Sequence, residues 1–552
     1  MSRVPERRPL RILFFLYHAG YLRHYRESIR LLAREGHTLH LAFTVVEKDL
    51  GDRVLVERLA EEFPERITFG EAPVRRRLDG WRWTSILVRA FTDLARYIDP
   101  RYAHAPALRE RMAEKIKRQL AIGRVDPVSS ATLGRIVDRL ATKTDPALSR
   151  RLLRFLRAAE LAVPTSGVVD RFIADWRPDA VLVTPLVEYT SNQVDYLKSA
   201  RRLGVRTAAC IASWDNLTNK GLLRFTPDRV LVWNEIQRRE VVELHGVPAD
   251  RVVITGGAKF DAWFELEPSR TAAEHKRAVG LDPDKPYVLY VCSSPFIAPD
   301  EVSFVRRLLA SYRAAGDEDV RGAGLLVRPH PQNAAQWAQV DLEDDNAVVW
   351  PREGAQPDFG ATRAGFYDSI AHSAAVVGVN TSAMIDAAIV GKNVFTILDP
   401  AFAATQEGTL HFHYLLRENG GFLNVARTLD EHRAQLAGAM LGGAAEAERL
   451  RAFAESFVRP RGLEQPVAPV VAVEIANVAE APLEPAPSPG FRLRALRAAL
   501  WAPTAGATLA LFVGDRLPAK TGDVRHRPRT PGGSRSGSAP RRTAVTSRDS
   551  RP

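Results

Sequence analysis

At 552 residues and 45% apolar composition, the chain is longer than one hydrophobic core usually holds, which points to at least two globular domains plus appendages. Its 77 Lys and Arg against 65 Asp and Glu give a formal charge of +12, but from Phe491 onward twelve Arg and one Lys face only Asp515, Asp523 and Asp549. The body of the protein is therefore near neutral, which excludes specific nucleic-acid binding by the folded part; only the basic tail invites loose contact with polyanions or anionic lipid.

In chain order, Arg11 precedes the apolar run Ile12 to Tyr17, which is too short for an export signal, and no small-residue cleavage site follows before Arg23 and Arg26. No uninterrupted apolar stretch of about 18 residues occurs, so the expected location is cytoplasmic, at most peripheral at the inner membrane face. Ile12 to Leu16 reads as a buried parallel strand, Tyr17-His18-Ala19-Gly20 as a loop, Ile29 to Ala33 as helix ended by Gly36, and Leu39 to Phe43 as the next strand. This is a βαβ unit.

Between about Val74 and Leu161 the strand signal gives way to Arg-rich helical patterns, read as an insertion that is either a solvated helical subdomain or a surface for membrane or a polyanionic acceptor. Strand-like runs resume at Ala180–Thr184, Val205–Ala212, Arg229–Trp233 and Val252–Thr255. A second series follows at Tyr287–Val291, Gly324–Val327, Ala347–Trp350, Ala375–Val379 and Val394–Leu398, with a last helix from about Ala444 to Val458. The predicted architecture is α/β, two Rossmann-like doubly wound domains facing a cleft. Residues 1–275 form the first domain, with its insertion at about 75–160, and 276–460 the second; 461–552 are a Pro/Ala-rich linker and a basic, largely disordered tail. Phe491 to Phe512 has the composition of a surface amphipathic helix.

Ligands of open parallel sheets gather beyond the carboxyl ends of the strands, so the residues after each run are the candidates. In the second half these are Ser293 and Ser294, Arg328 and His330, and Asn380, Thr381 and Ser382, which offer hydroxyls, an amide, a guanidinium and an imidazole where a diphosphate would lie. Thr381 or Ser382 is expected to cap a helix, with Asp386 one turn on as acceptor for ribose hydroxyls. Arg328 and His330 suit charge growing on a leaving phosphate. In the first half, Trp214, Asp215, Asn216 and Lys220 crowd one loop: Asp215 is a candidate base on an acceptor hydroxyl and Lys220 a contact for anionic groups. His18 and His24 flank Gly20 as rival bases.

No metal or cofactor is expected. Asp341-Leu342-Glu343-Asp344-Asp345 reads as solvated loop, and His411-Phe412-His413 lacks a third ligand, leaving a polar cleft contact as its functional reading. Cys210 and Cys292 each end a buried strand and read as reduced core residues.

Across roughly residues 10 to 460 the two halves resemble the GT-B glycosyltransferase superfamily. The motifs are similar to its CDP-glycerol glycerophosphotransferase and surface-polysaccharide transferase branches, with UDP-GlcNAc 2-epimerases as structural cousins. The resemblance implies that Arg328-Pro329-His330-Pro331 contributes to donor phosphate binding and that Asn380 to Lys392 meets the nucleotide's phosphates and ribose, through Arg328, His330, Thr381, Ser382 and Asp386. Thr255 to Asp261 resembles the turn before the interdomain crossing. Two positions depart from the pattern: Gly20-Tyr21 stands where many relatives have Gly-His, and Trp214-Asp215-Asn216 where the glycerophosphotransferases have Trp-His-Gly, so that Asp215 replaces their catalytic His.

The function this implies is metal-independent transfer from a nucleotide-activated donor to a glycan or lipid-linked acceptor. A UDP-GlcNAc 2-epimerase-like activity and a non-catalytic polysaccharide-assembly protein are the alternatives.

Overall fold

The computed structural model describes residues 8–45, 52–76, 78–122, 127–358, 360–440, 444–481 and 490–501. The expectation of a disordered tail falls almost wholly outside these residues.

Seven strands build the first sheet: β1 (Arg11–Leu16), β2 (Thr38–Phe43), β3 (Ile67–Glu71), β4 (Ala180–Thr184), β5 (Arg206–Cys210), β6 (Arg229–Val232) and β7 (Val252–Ile254). Six build the second: β8 (Tyr287–Val291), β9 (Gly324–Arg328), β10 (Ala347–Val349), β11 (Ala375–Gly378), β12 (Val394–Ile397) and β13 (Asn424–Ala426). Their spatial orders are β3-β2-β1-β4-β5-β6-β7 and β10-β9-β8-β11-β12-β13, and the pairings are parallel. In both sheets the order reverses beside the first strand, which opens a crevice at the carboxyl ends of β1 and β8.

The continuous apolar runs form strands because both faces are covered. Ile12, Phe14 and Leu16 of β1 enter one core cluster, Leu13 and Phe15 the cluster on the opposite face. In β8, Tyr287, Leu289 and Val291 face one way, Val288 and Tyr290 the other. Each fully buried apolar side chain of this kind contributes roughly 1.5–3 kcal/mol.

β3 and β13 went unanticipated, whereas β7 and β10, also sheet edges, match the predicted runs Val252–Thr255 and Ala347–Trp350. In β3, Thr68 and Phe69 are exposed, so no apolar run marks it, and β13 is only three residues long.

The predicted insertion is helical, with Trp81–Arg96, Pro106–Ile122, Pro127–Ala141 and Pro146–Ala162 placed between β3 and β4. Some of its arginines point inward. Arg89 pairs with Asp195 at 2.9 Å and Glu160 at 3.0 Å; Arg75 also reaches Asp195 at 2.9 Å and Lys198 reaches Glu160 at 3.1 Å. All five side chains are buried. Burial raises the Asp195 carboxyl, but Arg89 and Arg75 outweigh it and hold the group far below the usual carboxylate range. Removing one member of such a network strands the others without solvent, so Asp195→Ala should destabilise the first domain by about 3–5 kcal/mol in denaturant unfolding. A change below about 1 kcal/mol would show that the network is dispensable.

The stretch after Pro460 differs from the expected linker. Val467–Glu480 is a helix whose Val467, Val471, Ile475 and Val478 enter the same core cluster as β1. The chain thus crosses between domains twice, and Asp261 ties the crossings together. Its carboxylate accepts from the backbone N–H of Val467 at 2.9 Å and Ala468 at 2.7 Å, capping that helix, and pairs with Arg459 at 2.9 Å. Gly256 sits at the same junction with φ +108, and a Cβ there would lie 2.6 Å from Val467 Cγ2, so both conformation and space demand glycine.

Candidate functional site

The carboxyl ends of β1, β5, β9 and β11 open onto one cleft of about 440 Å³ between the two domains, a volume suited to a nucleotide-sized ligand. His18, His24, Asp215, Asn216 and Lys220 line it from the first domain, and Arg328, His330, Thr381, Ser382 and Asp386 from the second.

On the second wall, Arg328 ends β9 and is buried. Its Nη1 donates to the Ser369 hydroxyl at 2.9 Å and to the Gly365 carbonyl at 3.1 Å, and its guanidinium stacks 4.8 Å from Trp350 and 5.0 Å from Phe366. Among the described residues no carboxylate comes within ion-pair distance of it, and burial lowers its pKa to about 9. Neighbouring His330 accepts the Gln332 N–H on Nδ1 at 3.1 Å, and burial lowers its imidazole to about 4, so it is neutral at physiological pH.

Thr381 and Ser382 lie at the start of helix Ala383–Ile389. The expected hydroxyl cap is not made: Ser382 occupies the capping position in helical conformation and its side chain accepts no backbone N–H. Asp386 is buried on this wall. Burial raises its carboxyl to about 6, with Lys259 pulling the other way.

Since that value lies above the ordinary one of about 3.9, the folded state binds the proton more tightly than the unfolded state. The carboxyl therefore costs stability as pH rises through about 6. Asp386→Asn should stabilise the ligand-free protein at pH 7.5 by on the order of 2 kcal/mol, seen as a higher melting point, with the gain shrinking toward pH 5. Equal gains at both pH values would reject this charge-burial account.

On the first wall, Asp215 follows β5 in a loop held from behind by the insertion. Arg96 Nη1 donates to the carbonyls of Lys220 and Gly221 at 2.9 Å each, Tyr97 to Lys220 at 2.8 Å and Tyr189 to Asn219 at 2.5 Å. Gly221 is required there, because a Cβ would meet Asp93 Oδ1 at 2.6 Å. Asp215 itself accepts from Asn219 Nδ2 at 2.8 Å. Burial raises its carboxyl, yet His411, Lys220 and the bonds from Ser213 and Asn219 prevail and hold it below its ordinary value.

Lys220 lines the cleft with its ammonium already engaged, by Glu188 and by Tyr21 Oη at 3.1 Å. His18 accepts the Gly20 N–H on Nδ1 at 3.1 Å, which places the proton of the neutral ring on Nε2. His24 has a buried Nδ1 without a hydrogen-bond partner; burial, then Lys259 and Arg23, hold its imidazole well below its ordinary value and hence neutral.

Four predicted residues lie off the cleft lining. Ser293 is fully buried and its backbone N–H donates to Glu301 at 2.9 Å, while the Ser294 carbonyl accepts from Ile297 and Ala298 to close a turn. Asn380 is buried and donates to the Thr405 carbonyl at 2.7 Å. Trp214 packs edge-on against His411, with ring centroids 4.9 Å apart, inside a core cluster shared with the second domain. His411 also lies off the lining, bridging the domains from Thr218 at 3.2 Å to Asn380 at 3.5 Å. Apolar and small-polar residues next to a strand end were consumed by packing.

Sequence reasoning missed Lys259, Arg23, Arg26 and Arg363, all on the lining. Lys259 lies in the first crossing, Thr255 to Asp261, whose pattern was visible but whose lysine was not singled out. It makes no hydrogen bond or ion pair among the described residues and has only the Phe260 ring, 4.4 Å away. Burial lowers its ammonium, against the pull of Asp386. Arg23 bridges the domains, donating to Asp358 at 2.9 and 3.0 Å and to Asp52 at 2.7 Å, a pairing across 335 positions that nothing in the sequence announces.

No helix among the described residues is long and apolar enough to cross a membrane, and no cluster of three His, Cys, Asp or Glu among them could hold a metal ion.

No protein-family profile matches the chain, and no curated protein matches it. Solved structures similar to it include a UDP-GlcNAc 2-epimerase from Methanocaldococcus jannaschii, at 9% identity and TM-score 0.47, covering 85% of this chain and 99% of that one. Another is the Neisseria meningitidis UDP-GlcNAc 2-epimerase bound to UDP-GlcNAc, at 10% identity and TM-score 0.45, covering 85% of this chain and 100% of that one. A glycosyltransferase from Rickettsia africae is similar at 10% identity and TM-score 0.46, covering 86% of this chain and 99% of that one.

Proposed function

We propose that this protein is a metal-independent GT-B-type transferase. It moves a sugar or polyol-phosphate group from a nucleotide-activated donor to a hydroxyl of a cell-envelope glycan or a lipid-linked acceptor. The observation that carries the reading is Arg328: a buried guanidinium with no opposing carboxylate among the described residues, opening onto a cleft whose other wall holds the half-buried carboxylate of Asp215. A buried cation without an internal counter-ion costs stability and suits an anionic ligand.

The donor diphosphate lies against Arg328, His330 and the hydroxyls of Thr381 and Ser382, with its ribose on Asp386. The acceptor hydroxyl attacks the transferred centre and gives its proton to Asp215. The bond from that centre to the departing phosphate oxygen breaks with its electron pair, and Arg328 and Lys259 balance the charge that develops there. Asp215 is preferred to His18 because the Nδ1 lone pair of His18 is already committed to Gly20.

Melting curves with CDP, UDP, GDP, CMP and ADP, with and without magnesium, test the donor site on the wild type, Arg328→Ala and Ser382→Ala. A magnesium-independent rise with one base, lost in Arg328→Ala and reduced in Ser382→Ala, is the expected result. No rise with any nucleotide rejects the donor site and leaves a non-catalytic binding protein.

The epimerase reading has one observation in its favour: the Asp386 carboxyl and the Lys259 ammonium line the cleft within electrostatic reach of each other and offer it an acid and a base group. Epimerisation of UDP-GlcNAc without any acceptor would establish it over transfer.

A further inference from the structure

Arg26 begins the first helix of the first domain, Arg26–Arg34, and Arg363 lies in helix Gly360–Ala371 of the second, yet their guanidinium groups meet at the cleft mouth. Both donate to one acceptor, the backbone carbonyl of Asp358: Arg26 through Nη1 at 3.5 Å and Arg363 through Nη2. The anions nearby are committed elsewhere. Arg23 holds both oxygens of Asp358, and Arg30 holds both oxygens of Glu27 at 2.6 and 2.7 Å, leaving Arg26 a share of one Glu27 oxygen at 3.2 Å. Arg363 has no carboxylate within ion-pair distance among the described residues, and its pKa is lowered by burial and then by Arg26 itself.

Two like charges from opposite walls, sharing a single neutral oxygen, repel one another until an anion comes between them. A phosphate fits because each guanidinium can give it two parallel N–H bonds. We propose that Arg26 and Arg363 form a second anion subsite, which takes a substrate phosphate monoester other than the donor's diphosphate and draws the two domains together around it. The proposal rests on the transferase reading and deepens it: one of the two substrates, beyond its nucleotide, is itself phosphorylated.

The test follows melting curves at constant ionic strength with two probes, inorganic phosphate and glycerol 3-phosphate, on the full chain. Arg328→Gln disables the donor end, so any phosphate protection that survives in it comes from elsewhere in the cleft. Glycerol 3-phosphate should stabilise Arg328→Gln saturably, by several degrees, and at lower concentration than inorganic phosphate. Arg26→Gln/Arg363→Gln should lose this gain while keeping its response to the nucleoside diphosphate. Arg26→Lys/Arg363→Lys, which keeps both charges, should retain part of the gain and guards against a fold defect in the glutamine pair.

The absence of protection in Arg328→Gln, or protection in the glutamine pair equal to the wild type, overturns the subsite. So does loss of the nucleoside diphosphate response in that pair, since the arginines would then belong to the donor site. Protection by inorganic phosphate alone overturns a substrate-borne phosphate. If no nucleotide stabilises any form, the transferase reading fails, and the Arg328→Gln arm still decides the subsite.

Discussion

Arg328→Ala should lower kcat by about 10²–10³-fold, and should also erase the melting-point rise given by the donor nucleotide. The size follows from where the charge sits. Arg328 is buried, stacked between Trp350 and Phe366, and already directed by Ser369 and Gly365, so it meets the growing negative charge without reorganising. Its low-dielectric surroundings strengthen that interaction beyond its worth in water. Arg328→Lys should recover little, because an ammonium has no planar face to stack on Trp350 and Phe366 while holding the Gly365 carbonyl and the Ser369 hydroxyl. Steady-state kinetics at saturating donor give the answer, and a fall in donor affinity with unchanged kcat would assign Arg328 to binding alone.

Asp215→Asn should reduce kcat by about 10²–10⁴-fold while leaving nucleotide protection intact, since the residue sits on the acceptor wall. The same assignment fixes a pH signature. Asp215 is held below its ordinary value by His411, Lys220 and its hydrogen bonds in spite of its burial, so it remains ionised throughout the neutral range. At saturating substrates kcat should therefore show no loss between about pH 8 and 5.5 from this group. A kcat that falls as pH drops through the imidazole range, together with a mild effect of Asp215→Asn, would transfer the role of base to a histidine. Asp386, near 6, makes a separate forecast: donor affinity, rather than kcat, weakens as pH falls below that value and the carboxylate that accepts the ribose hydroxyls is lost.

What the sequence disclosed, and what it did not, divides along physical lines. Strands covered on both faces must be continuously apolar, so β1, β4 and β8 stand out from Ile12–Leu16, Ala180–Thr184 and Tyr287–Val291. Edge strands escape that requirement: β7 and β10 still showed as short apolar runs, whereas β3 and β13 did not. Arg328, Asp215, Thr381 and Asp386 were legible because position after a strand predicts position at the cleft. Lys259, Arg23, Arg26 and Arg363 were not, because they reach the cleft from a crossing segment or from helices; Arg23 and Arg26 find Asp358 more than 300 positions away, and Lys259 has no hydrogen bond or ion pair among the described residues. The insertion's arginines divide between two uses that composition left open. Arg75, Arg89 and Arg96 are spent on Asp195, Glu160 and the carbonyls behind Asp215, whereas Arg76, Arg101, Arg135 and Arg150 are exposed.

Val467–Glu480 was hidden by Pro466 and Pro469, which imitate a linker. Pro469 falls in the first helical turn, where a missing N–H breaks no hydrogen bond. Its return to the first domain sets the order of assembly during synthesis. The sheet whose β1 leaves the ribosome first cannot finish covering one of its faces, begun by Ile29, Leu32, Leu55 and Leu59, until Val467, Val471 and Ile475 have emerged more than 450 residues later. The first-made half is thus the last to be finished, and a nascent chain stopped near residue 460 should expose an apolar face that chaperones would hold.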